Sequence, residues 1–221
     1  MVWTQKSELL LIRRVCQEIV HDMATGKGTR LHSTYAELAP SLFRFGKIQL
    51  SVSKRWGAPI TDLSVMGASA SPSIISLTVG GNRSKGQITD AERTLSGILC
   101  HELVHQKQGA RNPCSMAMAT QIQHYWVANE EENAGPHDWI VGYYGTVYEF
   151  EAHAEQIAYE IWMTDVVSGQ VPRKNVSLAQ VTQCEPLERI KRRLQVNAAS
   201  SLVSDWLSRL EAKVNEALAI W

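Results

Sequence analysis

The chain lacks three features that would assign it to familiar classes of protein. Its four cysteines are widely spaced and include no Cys-x-x-Cys pair, which excludes the dense disulfide framework of a small secreted domain. Its 22 basic side chains balance 22 acidic ones, so electrostatics gives no reason to expect a nucleic acid or a membrane as partner. No apolar run is long enough for a secretory signal or a membrane span. We therefore expect a cytoplasmic protein with reduced thiols.

Apolar periodicity predicts a mainly helical chain with a few strands in its first third. The strands are expected at 47–53, where apolar and polar residues alternate, and at 74–79, which is rich in β-branched residues. Helices are expected where apolar residues recur every three or four positions. These helical segments are about 7–23, 89–109, 115–129, 146–167, 185–196 and 201–221.

The most informative segment is His101-Glu102-Leu103-Val104-His105. Residues four apart lie on one face of a helix, so both imidazoles can reach the same metal ion. A capping box of Thr89 and Glu92 is expected at the start of this helix, and Gly109 at its end. The spacing predicts a Zn²⁺ site with His101 and His105 as ligands and Glu102 as the base that takes a proton from metal-bound water.

Catalytic zinc usually takes three protein ligands, so another ligand is expected elsewhere in the chain. In metzincins it is a histidine six residues after the second motif histidine, but that position is Arg111, which excludes this class. A helical projection puts Glu151 on the main apolar stripe of its helix, with Val147, Ala154 and Ala158. A carboxylate buried there would need a partner such as a metal. Four residues are candidates for the third ligand: His124, His137, Glu149 and Glu151.

The segment Glu149-Phe150-Glu151-Ala152-His153 resembles the second motif of gluzincin metallopeptidases. That motif is E-x-x-x-D in the thermolysin group and E-F-x-A-D in the CAAX prenyl protease group, and its first Glu binds zinc. The resemblance covers about 74–162 and implies Glu149 as the third ligand. It puts His153 where these families have an Asp that supports a metal-binding histidine. The loop at 135–139 instead resembles SprT-like proteases, which implies His137 as the third ligand.

The resemblance implies a zinc-dependent metallopeptidase that acts on a peptide or protein substrate. A metal-activated water would hydrolyse the peptide bond, with Glu102 first accepting a proton and then passing it to the leaving amine. Zincins usually add a Tyr or His donor for the oxyanion. The candidates for that donor are Tyr143, Tyr144, Tyr148 and His137.

The expected fold class is α+β and mainly helical, with a zincin-like architecture and a small β-sheet before the motif helix. We expect a single metallopeptidase domain over residues 1–221. Its N-terminal helix and strands would occupy about 7–80, its catalytic helices about 89–167, and its C-terminal helices about 185–221. Neither a nucleic acid nor a membrane is expected as a partner.

The same motifs suit a second function. Small proteins of the ImmA/IrrE group have H-E-x-x-H and a later E-x-E-A, and they cleave one dedicated repressor. Glu149-Phe150-Glu151-Ala152 is similar to that later motif. The alternative is therefore a zincin-fold regulatory or interaction protein that cleaves or binds one dedicated partner without general proteolytic activity. A third account is a helical scaffold that binds no metal.

Overall fold

The computed structural model describes residues 1–25, 49–54, 64–70, 74–80, 88–130, 134–184, 187, 190, 191, 194 and 201–221. These residues divide into two compact units. One unit is Thr4–Ala110, and the other combines Met1–Trp3 with Arg111–Trp221. None of the described helices is both long enough and apolar enough to cross a membrane.

The unit Thr4–Ala110 contains one small sheet and two long helices. Its elements are α1 (Lys6–Thr25), β1 (Gln49–Lys54), β2 (Ser64–Ala70), β3 (Ile74–Gly80) and α2 (Ile88–Arg111), whose last residue belongs to the other unit. The strands are ordered β1-β3-β2. β1 pairs with β3 in parallel, and β2 pairs with β3 in antiparallel, with a register shift between Val65 and Gly67.

Helices α1 and α2 run antiparallel. Glu8, near the start of α1, is 2.5 Å from the Lys107 ammonium, near the end of α2. Arg13 and Cys16 lie farther along α1, and they contact Glu92 and Ser96 in the first half of α2. Burial raises the pKa of the Cys16 thiol to about 12, although a hydrogen bond with Ser96 acts in the opposite direction. The apolar faces of both helices are fully buried, so this pair forms a core of its own.

The motif helix agrees with its predicted limits within about two residues, but Thr89 and Gly109 do not have the end positions expected for them. α2 begins at Ile88, so Thr89 lies inside it rather than capping it, and it continues past Gly109 to Arg111. Gly109 is buried within the helix. The helix ends just before Asn112, which precedes Pro113 and is therefore disfavoured in the helical conformation.

The expected fold class is corrected from α+β to mainly helical. The three strands are short, with 6, 7 and 7 residues, and all lie before α2. The described core is built almost entirely from helical side chains, because amphipathic helices bury their apolar faces against one another within each unit. A sheet of this size does not set the architecture, so the expected zincin-like architecture is wrong.

The unit that contains Arg111–Trp221 is helical. Its elements are α3 (Pro113–Glu130), α4 (Pro136–Trp139), a π-helical turn (Ile140–Tyr144), α5 (Val147–Val167), α6 (Leu178–Val181) and α7 (Ser201–Ile220). The helices predicted at 115–129, 146–167 and 201–221 are confirmed within about two residues. Most of the helix predicted at 185–196 falls outside the described residues, although Leu187, Ile190 and Leu194 are buried.

Helix α7 packs on α5 and anchors the π-helical turn. The Trp206 indole of α7 donates a hydrogen bond to the backbone oxygen of Tyr144 at 3.1 Å, and the two rings are in edge contact. Trp206 and Trp221 are both buried in the core. Gly142 is required in the turn, because a Cβ there would lie 2.2 Å from the Trp126 indole nitrogen.

An ion pair between a buried carboxylate and a partly exposed guanidinium holds the chain that follows α5. The Asp165 carboxylate accepts hydrogen bonds from the Arg173 guanidinium and from its backbone N–H, at 2.9 Å for Nε and for the backbone nitrogen. Burial acts to raise the Asp165 pKa, but the hydrogen bonds and charge of Arg173 outweigh it and hold that pKa below its ordinary value of 3.8. The ionised pair therefore stabilises the native state.

Replacing Arg173 with Leu is expected to lower the free energy of unfolding at pH 7 by about 2 kcal/mol, because a buried carboxylate loses its charged donor. A lowered native pKa contributes stability above the ordinary value and loses it as the pH falls through the native one. The difference between wild type and variant, measured by urea unfolding, should shrink below about pH 4. Lys174→Leu, at the exposed neighbouring position, is the control and should change stability by about 0.5 kcal/mol or less. A constant difference between pH 7 and pH 3 would contradict this role.

Candidate metal centre

The motif lies in a segment of α2 that is buried on every side. All nine residues from 101 to 109 are buried, and His101, Glu102 and His105 are 8%, 7% and 8% exposed. On an ordinary surface helix, two such histidines would be exposed to solvent. Burial of polar side chains is unfavourable unless hydrogen bonds, charges or a metal compensate for the lost water. The polar groups of this segment therefore require partners inside the protein.

The two motif histidines face each other. Their Nε2 atoms are 3.0 Å apart, and their rings meet edge to face with centroids separated by 4.6 Å and planes inclined by 85°. Two nitrogen ligands at about 2.0–2.1 Å from a tetrahedral zinc ion lie roughly 3.3 Å apart. The observed separation is close to that value, so a small rotation of the rings would open the space that such an ion needs. The histidine pair thus fits two ligands of one metal.

Glu149 and His153 form a second pair of ligand-type side chains on α5. The Glu149 carboxylate is 5% exposed, and its Oε2 atom lies 3.5 Å from Nε2 of His153, one helical turn later. The His153 ring also contacts the ring of Tyr144, with centroids 5.5 Å apart. A carboxylate beside an imidazole can bind a metal with either group, or one group can orient the other.

The other candidates for the third ligand lie in different surroundings. Glu151 is half-buried, and its carboxylate accepts a hydrogen bond from the Trp3 indole at 2.7 Å. Ala154 and Ala158 of the stripe predicted for Glu151 are fully buried, whereas Val147, at the start of α5, is 67% exposed. His124 is exposed on α3, and His137 is exposed on α4 beside Asp138. Of the four candidates, only Glu149 is buried.

The candidates for an oxyanion donor also differ in burial. Tyr144 is 2% exposed, and its ring stacks on Trp139 at a centroid distance of 5.6 Å. Tyr143 and Tyr148 are half-buried, and His137 is exposed. Tyr144 is therefore a core residue, whereas Tyr143 and Tyr148 have surface that a substrate could contact.

One residue near the histidines was missed by the analysis of the sequence. Gln108 is 2% exposed, and its Oε1 atom lies 3.0 Å from Nδ1 of His105. The spacing of three residues after His105 is the signal that could have identified it, since residues three apart on a helix are neighbours.

Comparisons with family models, with curated proteins and with solved structures return no match to this chain. Support for a metal centre therefore comes from the chemistry and geometry of the residues themselves.

Proposed function

We propose that this chain is a zinc-dependent hydrolase that cleaves peptide bonds, with His101 and His105 as zinc ligands and Glu102 as the general base. The observation that carries the proposal is the pair of Nε2 atoms 3.0 Å apart in a buried helix. Neutral imidazole is a preferred ligand of zinc. The buried carboxylate of Glu102 directly follows His101 in the chain, as the chemistry requires.

We propose Glu149 as the third ligand. It is the one buried carboxylate among the four candidates, and an ionised carboxylate inside a protein is favourable next to a cation. His153, whose Nε2 atom lies 3.5 Å from Oε2 of Glu149, would support the site as an orienting partner of Glu149 or as a ligand itself. The resulting donor set of two imidazoles and a carboxylate is one that catalytic zinc uses.

A bound zinc ion would supply a Lewis acid that makes water more acidic and polarises a carbonyl group. The chain itself supplies the proton transfers. Glu102 accepts a proton when water attacks the substrate, and it returns that proton to the amine that leaves. Its low exposure, 7%, keeps competing bulk water away from the carboxylate. Glu102 is not required as a ligand, so its role is separable from metal binding.

The experiment is to measure the zinc content and zinc affinity of wild type beside four single variants. We expect about one zinc ion per wild-type chain, and a loss of affinity for Glu149→Ala larger than the roughly 10–100-fold that removal of a residue behind a ligand causes. His153→Ala should fall within that 10–100-fold range if it orients Glu149, or beyond it if it is a ligand. Glu151→Ala and His137→Ala are the matched controls and should bind zinc like wild type.

Two results would contradict the proposal at different points. Wild-type protein that contains no zinc and takes up none in a titration rules out the metal centre. A Glu149→Ala variant with wild-type zinc affinity rules out Glu149 as the third ligand. It does not contradict the proposal that His101 and His105 bind zinc. Circular dichroism of each variant checks that it is folded.

A further inference from the structure

Gln108 lies on α2 three residues after His105 and contacts it directly. Its amide oxygen is 3.0 Å from the Nδ1 atom of His105, and the whole side chain is 2% exposed. Both groups belong to the same rigid helix, so the contact does not depend on the placement of any other element. Burial also removes the water that could otherwise compete for either atom.

This contact determines the tautomer of His105. An amide oxygen has lone pairs and no hydrogen, so a ring nitrogen that bonds to it must carry the hydrogen. Nδ1 of His105 therefore donates to Gln108. In the neutral ring the other nitrogen, Nε2, then has a free lone pair. It is this Nε2 atom that faces Nε2 of His101 at 3.0 Å.

We propose that Gln108 is a positioning residue that prepares His105 to bind metal, an inference that rests on the metal centre proposed above. By accepting the Nδ1 hydrogen, Gln108 holds the ring plane and presents the Nε2 lone pair towards His101. Metal-binding histidines commonly donate their second N–H to such an acceptor, which fixes the tautomer and the orientation of the ring. Gln108 does this without adding a negative charge to the buried helix.

The geometry has a second consequence for the metal-free protein. If Nε2 of His105 carries a lone pair, the 3.0 Å contact is a hydrogen bond in which Nε2 of His101 is the donor. The two histidines are then opposite tautomers before the metal binds. Zinc requires a lone pair from each Nε2 atom, so metal binding converts His101 to the tautomer that His105 already has.

The test is a ¹⁵N spectrum of the histidine side chains in metal-free protein, followed by a zinc titration. In wild type we expect the Nδ1–H tautomer for His105 and the Nε2–H tautomer for His101. In Gln108→Met, which keeps the shape but removes the acceptor, we expect mixed tautomers for His105 and zinc binding about 10–100-fold weaker. Gln108→Glu retains an acceptor oxygen and should restore both the tautomer and the affinity.

Gln106→Met is the matched control, because Gln106 is equally buried on α2 and lies beside His105 in sequence rather than on its face. It should leave the His105 tautomer and the zinc affinity unchanged. The inference is overturned if His105 of wild type is the Nε2–H tautomer, or if Gln108→Met retains the wild-type tautomer and affinity while wild type binds zinc. Wild-type protein that binds no zinc overturns the metal centre itself, and the positioning role with it.

Discussion

Replacement of Glu102 with Gln is expected to abolish hydrolysis while zinc remains bound. The amide has the shape of the carboxylate but cannot accept a proton, and general-base catalysis of this kind contributes about 10²–10⁴-fold to the rate. Because the proposed ligands His101, His105 and Glu149 are untouched, zinc content should stay at the wild-type level. The measurements are the rate of cleavage of casein or of a mixed fluorogenic peptide library, and zinc by elemental analysis of the same samples.

The matched comparison for Glu102→Gln is His105→Ala, which should lose both the metal and the activity. This pair of variants separates a defect in proton transfer from a defect in metal binding. A Glu102→Gln protein that cleaves at the wild-type rate would falsify the general-base role. A different result is wild-type protein that contains zinc and cleaves neither casein nor the library. That result favours the alternative, a protein that cleaves or binds one dedicated partner.

Replacement of Lys107 with Met is expected to lower the free energy of unfolding by about 3–5 kcal/mol. The Lys107 ammonium and the Glu8 carboxylate are 2.5 Å apart, and their side chains are 6% and 5% exposed. Removing the cation leaves a carboxylate that is buried without its charged partner, which is more unfavourable than losing an exposed pair. Urea unfolding followed by circular dichroism gives the measurement. The expected loss is a large part of the total stability of a typical domain.

The double variant Lys107→Met/Glu8→Leu is expected to recover much of this loss, because two apolar side chains can replace a buried ion pair. The control is Lys213→Met, which breaks the Lys213–Glu216 pair on α7, whose side chains are 12% and 43% exposed. A pair with a solvent-exposed carboxylate is expected to contribute less, about 0–1 kcal/mol. If Lys107→Met costs no more than Lys213→Met, the buried pair does not anchor α2 to α1.

The ion pair between Lys107 and Glu8 also bears on the proposed site. Lys107 lies two residues after His105 on α2, the helix that also contains His101. A catalytic or metal-binding group has to be held within a fraction of an ångström by its surroundings. The ion pair with Glu8 restrains the helix, and the proposed role of Gln108 is to restrain the His105 ring.

Helical periodicity in the sequence predicted the positions of most of the described helices correctly. α1, α3, α5 and α7 begin and end within about two residues of their predicted limits, because an amphipathic pattern is a local property of the chain. The limits of α2 were predicted equally closely, but the residues expected to cap it were assigned wrongly. Thr89 and Gly109 both have the residue types of helix ends, yet the helix includes them, since local stop signals compete with burial of the flanking turns. The fold class was predicted wrongly, because the few strands do not define the core.

For the candidate site, the sequence by itself determined that His101 and His105 would lie on one face of a helix, with Glu102 next to His101. Residues one and four positions apart have fixed relative directions on an α-helix. Their role as ligands, with Glu149, stays a prediction for the zinc measurements. The motif resemblance favoured Glu149, but only the tertiary structure showed that Glu149 is buried and that Glu151 binds the indole of Trp3, 148 residues away in the chain. Burial and long-range hydrogen bonds depend on residues distant in sequence, and no local pattern contains that information.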